Sequence, residues 1–185
     1  MKLHIRAAFD FYQKHINRTD FFQLLKEHNL KTSGSVPSIA WELFGSVLTG
    51  KRGSSGYGAD LEGVEIKSAI VGNSYEYQYH LNTGLAKLWE DQTVDHFFCS
   101  YSPDYQSFQV YFVSGKTLTA AYFQKWIPLY QKNYRKEVAA NASPSAERRQ
   151  RFRKSVPNGF VVKKGVLVME VKEGKLISLK DEKKT

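Results

Sequence analysis

The 185-residue chain has a single cysteine, Cys99, so no internal disulfide can brace it and a packed core must do that work. That cysteine falls in the apolar run His96-Phe97-Phe98-Cys99, which predicts a core position rather than a reactive thiol. No early apolar run is long enough for a signal peptide or a spanning helix, so the expectation is a cytoplasmic protein with no membrane partner. Zinc-finger spacing, a Walker phosphate loop, a confident helix-turn-helix, heptads and internal repeats are all missing. His4, His15 and His28 lack paired spacing and are expected at the surface or between helices, not on a metal. Acid is scarce beside base: 18 Asp and Glu face 27 Lys and Arg, a formal charge of +9. That surplus favours a polyanionic partner through counterion release, although a ribosomal or membrane-surface protein would share it.

What is present suits one sizeable core, since 42% of the residues are hydrophobic. We read residues 1–185 as a single domain. Helical spacing of apolar residues marks helices within 1–48, with Thr19 as a cap and Pro37 at the start of a helix over 38–48. A core of strands and one helix follows over 58–113, the helix after Asn82 or Thr83 and further strands at 94–101 and 108–113. A helix from Thr117 to about residue 136 has Ala121, Tyr122, Trp126, Leu129 and Tyr130 on its apolar side and Pro128 as a kink. Residues 137–185 hold the densest positive run, Glu147 to Lys154, and apolar segments from Phe160 onward that read as a small β-meander. Within that run Arg148, Arg149, Arg151 and Arg153 are candidates for backbone phosphates, against the plainer readings of a solvated helix face or a surface for an acidic partner.

The chain is organised around Gly58-Ala59-Asp60-Leu61-Glu62-Gly63-Val64-Glu65-Ile66-Lys67. Val64 and Ile66 alternate with Glu65 and Lys67, so in a strand the acid and the lysine share the face opposite the apolar pair. In a straight strand Asp60 would lie roughly 17 Å from Glu65 on the other face. A bend is therefore required, and Gly63 permits it. Asp60 and Glu65 then converge as oxygen ligands for a hard divalent cation, with Lys67 beside them to hold or help deprotonate a water. Gly72-Asn73 suits a two-residue hairpin turn, which predicts pairing of Lys67 with Gln78 and of Glu65 with His80, and a core face shared by Val64, Ile66, Tyr75, Tyr77 and Tyr79. Gln78 and His80 thereby become candidates to position water, phosphate or a second metal ligand. Upstream, the glycine-rich stretch 49–58 reads as a flexible basic loop in which Lys51 and Arg52 could meet a nucleic-acid backbone.

Asp60 followed by Glu65-Ile66-Lys67 resembles the signature of the PD-(D/E)xK nuclease superfamily, with Ala59 where the named proline would stand. The longer run from Gly63 to Gly84, with the length of the chain, resembles the small subunit of heterodimeric type IIS restriction endonucleases whose large partner is a site-specific nickase. The resemblance implies an α/β (α+β mixed) fold, a central mixed β-sheet flanked by helices with a small C-terminal β-meander. It also implies Mg²⁺-dependent hydrolysis of double-stranded DNA to 5′-phosphate ends, Mn²⁺ being able to substitute, with a large recognition and nicking subunit as partner. By the same resemblance Glu42, on the preceding helix, is a third metal ligand, and the plainer alternative is a solvated helix carboxylate. An orthodox homodimeric restriction enzyme, a mismatch-repair type nicking enzyme and a non-catalytic basic nucleic-acid-binding protein remain as alternatives.

Overall fold

The computed structural model describes residues 1–54, 58–81, 83–133 and 151–177, the Arg151 side chain excepted. Helices α1 (Ile5–Phe11), α2 (Thr19–Glu27) and α3 (Ser38–Thr49) come first, with a π-helical turn over Tyr12–Ile16. Strands β1 (Val64–Ile70) and β2 (Tyr75–His80) precede α4 (Gly84–Glu90), β3 (Asp95–Tyr101) and β4 (Phe108–Ser114). Next come α5 (Gly115–Leu118), a second π-helical turn over Thr119–Phe123, and α6 (Gln124–Asn133), which contains Pro128. The described chain closes with β5 (Arg151–Val156), α7 (Asn158–Lys164), β6 (Val166–Lys172) and β7 (Lys175–Ile177).

The architecture is the mixed α/β fold expected from sequence. Five strands in the order β1-β3-β4-β6-β7 form one mixed sheet, and β2 with β5 forms a separate ribbon. β1 runs parallel to β3; the remaining pairs are antiparallel. One face of the sheet carries Val64, Ile66, Phe97, Cys99, Phe108, Val110 and Met169 against α1, α3 and the first π-helical turn. Its other face carries Phe98, Tyr111 and Val113 against Tyr75, Tyr77 and Tyr79 of the ribbon and Leu118, Phe123, Trp126 and Tyr130. Burial of both faces explains why Val64–Ile66 and His96–Ser100 are buried without interruption, as expected of strands that are covered on both sides. His4, His15 and His28 are exposed, and Cys99 is in the core, as their sequence contexts suggest.

The expected β1–β2 hairpin does not form. The turn is real, with Asn73 N–H donating to the Ile70 carbonyl at 2.9 Å and Gly72 at φ 85°. Beyond it the chain leaves the sheet. Lys67 is in register with Phe98 and Glu65 with His96 on β3, while Gln78 opposes Arg153 and His80 opposes Arg151 on β5. The cause is burial: Tyr75, Tyr77 and Tyr79 cover the Glu65–Lys67 side of the sheet, not the Val64–Ile66 side, and a flat hairpin would leave that side bare. Other boundaries differ as well. Thr19 is the first residue of α2 and gives no capping bond; the helix expected at Thr117 begins at Gly115, capped by the Ser114 hydroxyl, which accepts from Thr117 N–H. Residues 151–156 form a strand rather than a helix face, and Phe160–Val162 lie in α7, so the C-terminal meander is β6 laid antiparallel onto β4 and β7 laid antiparallel onto β6. Leu129 is exposed on α6, whereas Trp126 and Tyr130 are buried. Asn82, Arg148 and Arg149 lie outside the described residues. No helix among the described residues is long and apolar enough to cross a membrane.

Candidate active site

Asp60 reaches Glu65 because the backbone reverses over Leu61–Val64. Leu61 and Val64 exchange two backbone hydrogen bonds, 2.9 and 3.0 Å, around Gly63 at φ 72°, a left-handed conformation that favours glycine. The reversal lets Asp60 Oδ2 accept from Ile66 N–H at 2.9 Å while Asp60 N–H donates to Glu65 Oε2 at 3.2 Å. Both acids are thereby locked to the first turn of β1. The neighbouring basic loop is sewn to the same turn, with Glu62 N–H donating to the Arg52 carbonyl and Ser54 N–H to that of Asp60. Lys51 and Arg52 are exposed beside it.

Glu65 is wholly buried and is flanked by two ammonium groups. Lys67 Nζ lies 2.5 Å from Oε1 and Lys87 Nζ 2.9 Å from Oε2. Lys67 thus sets a close positive charge on Oε1, as Lys87 does on Oε2. Lys67 also sits over the Tyr77 ring, 4.8 Å from its centroid, an attraction between a cation and an aromatic face. Burial by itself would push the Glu65 carboxyl up; the two lysines outweigh it and hold the group well below its ordinary range. Asp60 moves the other way, up to about 6, because of burial and then the Glu65 charge, with Lys67 opposing. The Glu42 charge on α3 adds to that rise, which places Glu42 within electrostatic reach of Asp60. It comes near because α3 lies flat on β1: a Cβ at Gly45 would collide with the Ile66 side chain.

Lys87 and Asp91 are not among the residues the sequence patterns point to, and both belong to the site. Their spacing of four on α4 is the signal that was available. Lys87 Nζ meets Asp91 Oδ1 at 3.3 Å and donates to the Gly58 carbonyl at 3.2 Å, and Glu90 Oε2 accepts from Ala59 N–H at 3.0 Å, so α4 grips the Asp60 loop from the far side. Asp91 is wholly buried, accepts from the Tyr79 hydroxyl at 2.8 Å, and is raised to about 6 by burial against the pull of Lys87. Behind them His96 bridges two groups, with Nε2 2.8 Å from the Asp91 carbonyl and Nδ1 2.9 Å from the Tyr77 hydroxyl. A carbonyl can only accept, so Nε2 carries the proton and Nδ1 accepts from Tyr77. Burial keeps this imidazole neutral, its pKa lowered to about 4.

Gln78 and His80 are not in this cluster. They alternate with the buried tyrosines and so occupy the outer face of the ribbon, where Gln78 Nε2 and His80 Nε2 lie 3.1 Å apart. The expectation that they oppose Lys67 and Glu65 is thus corrected, since it rested on the hairpin register. Arg153 shares that outer face and lies 3.7 Å from Glu76.

A divalent cation is tested by its donor set. Among the described residues no group of three or more His, Cys, Asp or Glu side chains is gathered closely enough to cage a metal ion. Mg²⁺ does not require such a cage, because it is commonly held by one or two carboxylates with waters and substrate phosphate completing an octahedron. Asp60 and Glu65 supply two carboxylates tied to one another by Asp60 N–H on Glu65 Oε2, and the Asp60 carboxyl is raised to about 6 by burial first and by the Glu65 charge second. The residues fit a hard cation. No protein-family model matches the chain, and no curated protein matches it.

Proposed function

We propose that this chain is a Mg²⁺-dependent DNA endonuclease of the PD-(D/E)xK type, acting as the small subunit that cuts one strand while a large subunit recognises the site and cuts the other. The observation that carries the reading is the convergence of Asp60, Glu65 and Lys67 around one turn, with Asp60 N–H on Glu65 Oε2 at 3.2 Å and Lys67 Nζ on Oε1 at 2.5 Å. Two acids that can hold a cation, with a lysine at their edge that can orient a water, form a set able to hydrolyse a phosphodiester.

Asp60 and Glu65, with Glu42 nearby, would hold the cation. A bound Mg²⁺ supplies Lewis acidity, lowering the pKa of a coordinated water and neutralising charge on the phosphate. Lys67 orients the attacking water, steadied by the Tyr77 ring beneath its ammonium group. Tyr77 is itself held by His96. Lys87 keeps Glu65 ionised and in place. The exposed Lys51 and Arg52, tied to the Asp60 turn through the Arg52 carbonyl, stand where the sugar-phosphate backbone would approach.

Strand-resolved cleavage mapping tests the assignment, using the purified chain alone and mixed with a site-specific nickase partner. We expect little specific cutting by the chain alone and cutting of the second strand in the mixture. Asp60→Ala and Lys67→Ala should each lose cleavage by about 10³-fold or more while keeping the wild-type circular-dichroism spectrum. Cutting retained by both folded variants would sink the reading, and discrete double-strand cuts by the chain alone would favour an orthodox homodimeric enzyme.

A further inference from the structure

Each oxygen of Glu65 has an ammonium group against it, so any divalent cation that binds there competes with a lysine. The two lysines are not equally committed. Lys87 Nζ has three acceptors within reach: Glu65 Oε2 at 2.9 Å, the Gly58 carbonyl at 3.2 Å and Asp91 Oδ1 at 3.3 Å. The only carboxylate within ion-pair distance of Lys67 among the described residues is Glu65. Asp91 is well suited to receive Lys87 outright, because it is wholly buried and its other oxygen is fixed by the Tyr79 hydroxyl at 2.8 Å. It also lies one helical turn beyond Lys87, at the end of the same helix.

We propose that Lys87 is a resident counter-charge for Glu65, which yields Oε2 to an incoming divalent cation and falls back on Asp91 and the Gly58 carbonyl. This rests on Asp60 and Glu65 being the cation ligands. The physical need is clear: a carboxylate with no exposed surface cannot stay ionised without a partner, and a partner with nowhere else to go would exclude the cation permanently. A second acceptor on the same helix answers both demands. Lys67 remains near Oε1 and the Tyr77 ring, where the proposed chemistry uses it.

Calorimetric titration of the full chain with Mn²⁺ tests this. Removing the competitor in Lys87→Gln should tighten cation binding about 10-fold, the order expected from losing one positive charge at short range inside a protein. Lys116→Gln, which removes the same charge from the exposed surface of α5, should stay within about 2-fold of wild type. Asp91→Asn, which leaves Lys87 with no carboxylate but Glu65, should weaken binding about 10-fold. The inference is overturned if Lys87→Gln binds Mn²⁺ as wild type does or less tightly. Should Lys87→Gln fail to fold, wild-type affinity in Asp91→Asn overturns it instead. Absence of saturable Mn²⁺ binding by the wild type would remove the cation site itself, and the proposed nuclease function with it.

Discussion

His96 is the residue on which the back of the site turns, since it is buried, neutral and confined to one tautomer by the Asp91 carbonyl and the Tyr77 hydroxyl. Its folded pKa of about 4 lies below the ordinary 6.5. The unfolded chain therefore binds the extra proton first, and the stability His96 contributes is complete above about pH 6.5 and lost as pH falls toward 4. Asp60 and Asp91 work in the opposite sense, because their pKa values rise to about 6 and the folded state takes up their protons first. The His96 contribution is thus read as a difference. His96→Gln is expected to be about 1–3 kcal/mol less stable than wild type at pH 7.5. The gap should narrow between about pH 6.5 and 4 in urea unfolding as the wild type loses its contribution. A gap independent of pH would contradict a buried neutral imidazole. At this scale much was legible in the chain itself. Asp60, Glu65 and Lys67 follow from period-two alternation and one permissive glycine. Lys87 and Asp91 were missed because a lysine and an aspartate four apart on a helix are ordinarily a solvent-facing pair, and only the packing of α4 turns this pair inward.

Among the elements, α4 does the most to assemble the site. It sits against β2 with no room to spare: a Cβ on Gly84 would stand 2.8 Å from both Tyr130 Cε2 and Tyr79 Cβ and 2.9 Å from the Tyr79 carbonyl carbon. Backbone cannot yield as a flexible side-chain tip can, so Gly84→Ala should displace the helix that carries Lys87. We expect a loss of about 1–3 kcal/mol in urea unfolding, typical of overpacking, together with a change in Mn²⁺ affinity. Unchanged stability would mean that α4 and β2 leave room for a methyl group at Gly84. The β1–β2 connection illustrates where local rules stop. Gly72-Asn73 does make the turn it promises, but a turn signal says nothing about which strands lie beyond it. β1 pairs with β3, which lies 31 residues further along in register, and β2 pairs with β5. Alternation put Glu65 and Lys67 on one face correctly. It could not tell that this face would be roofed by tyrosines.

Across the whole molecule, the +9 charge and the exposed Lys51 and Arg52 predict DNA binding dominated by phosphate contacts. Affinity of the chain for duplex DNA should fall about 10³-fold between about 50 and about 200 mM salt if around six phosphates are neutralised. Affinity that ignores salt in a fluorescence-anisotropy titration would argue against the basic surface as the binding face. By itself the sequence determined the fold class, the acid-and-lysine signature and the bend at Gly63, because each depends on chain periodicity or on one residue's backbone freedom. Only the tertiary structure decided that β1 lies beside β3, that the ribbon covers Glu65, and that Lys87 and Asp91 complete the cluster. Those outcomes depend on which apolar faces find each other over long separations, and no local spacing encodes that choice.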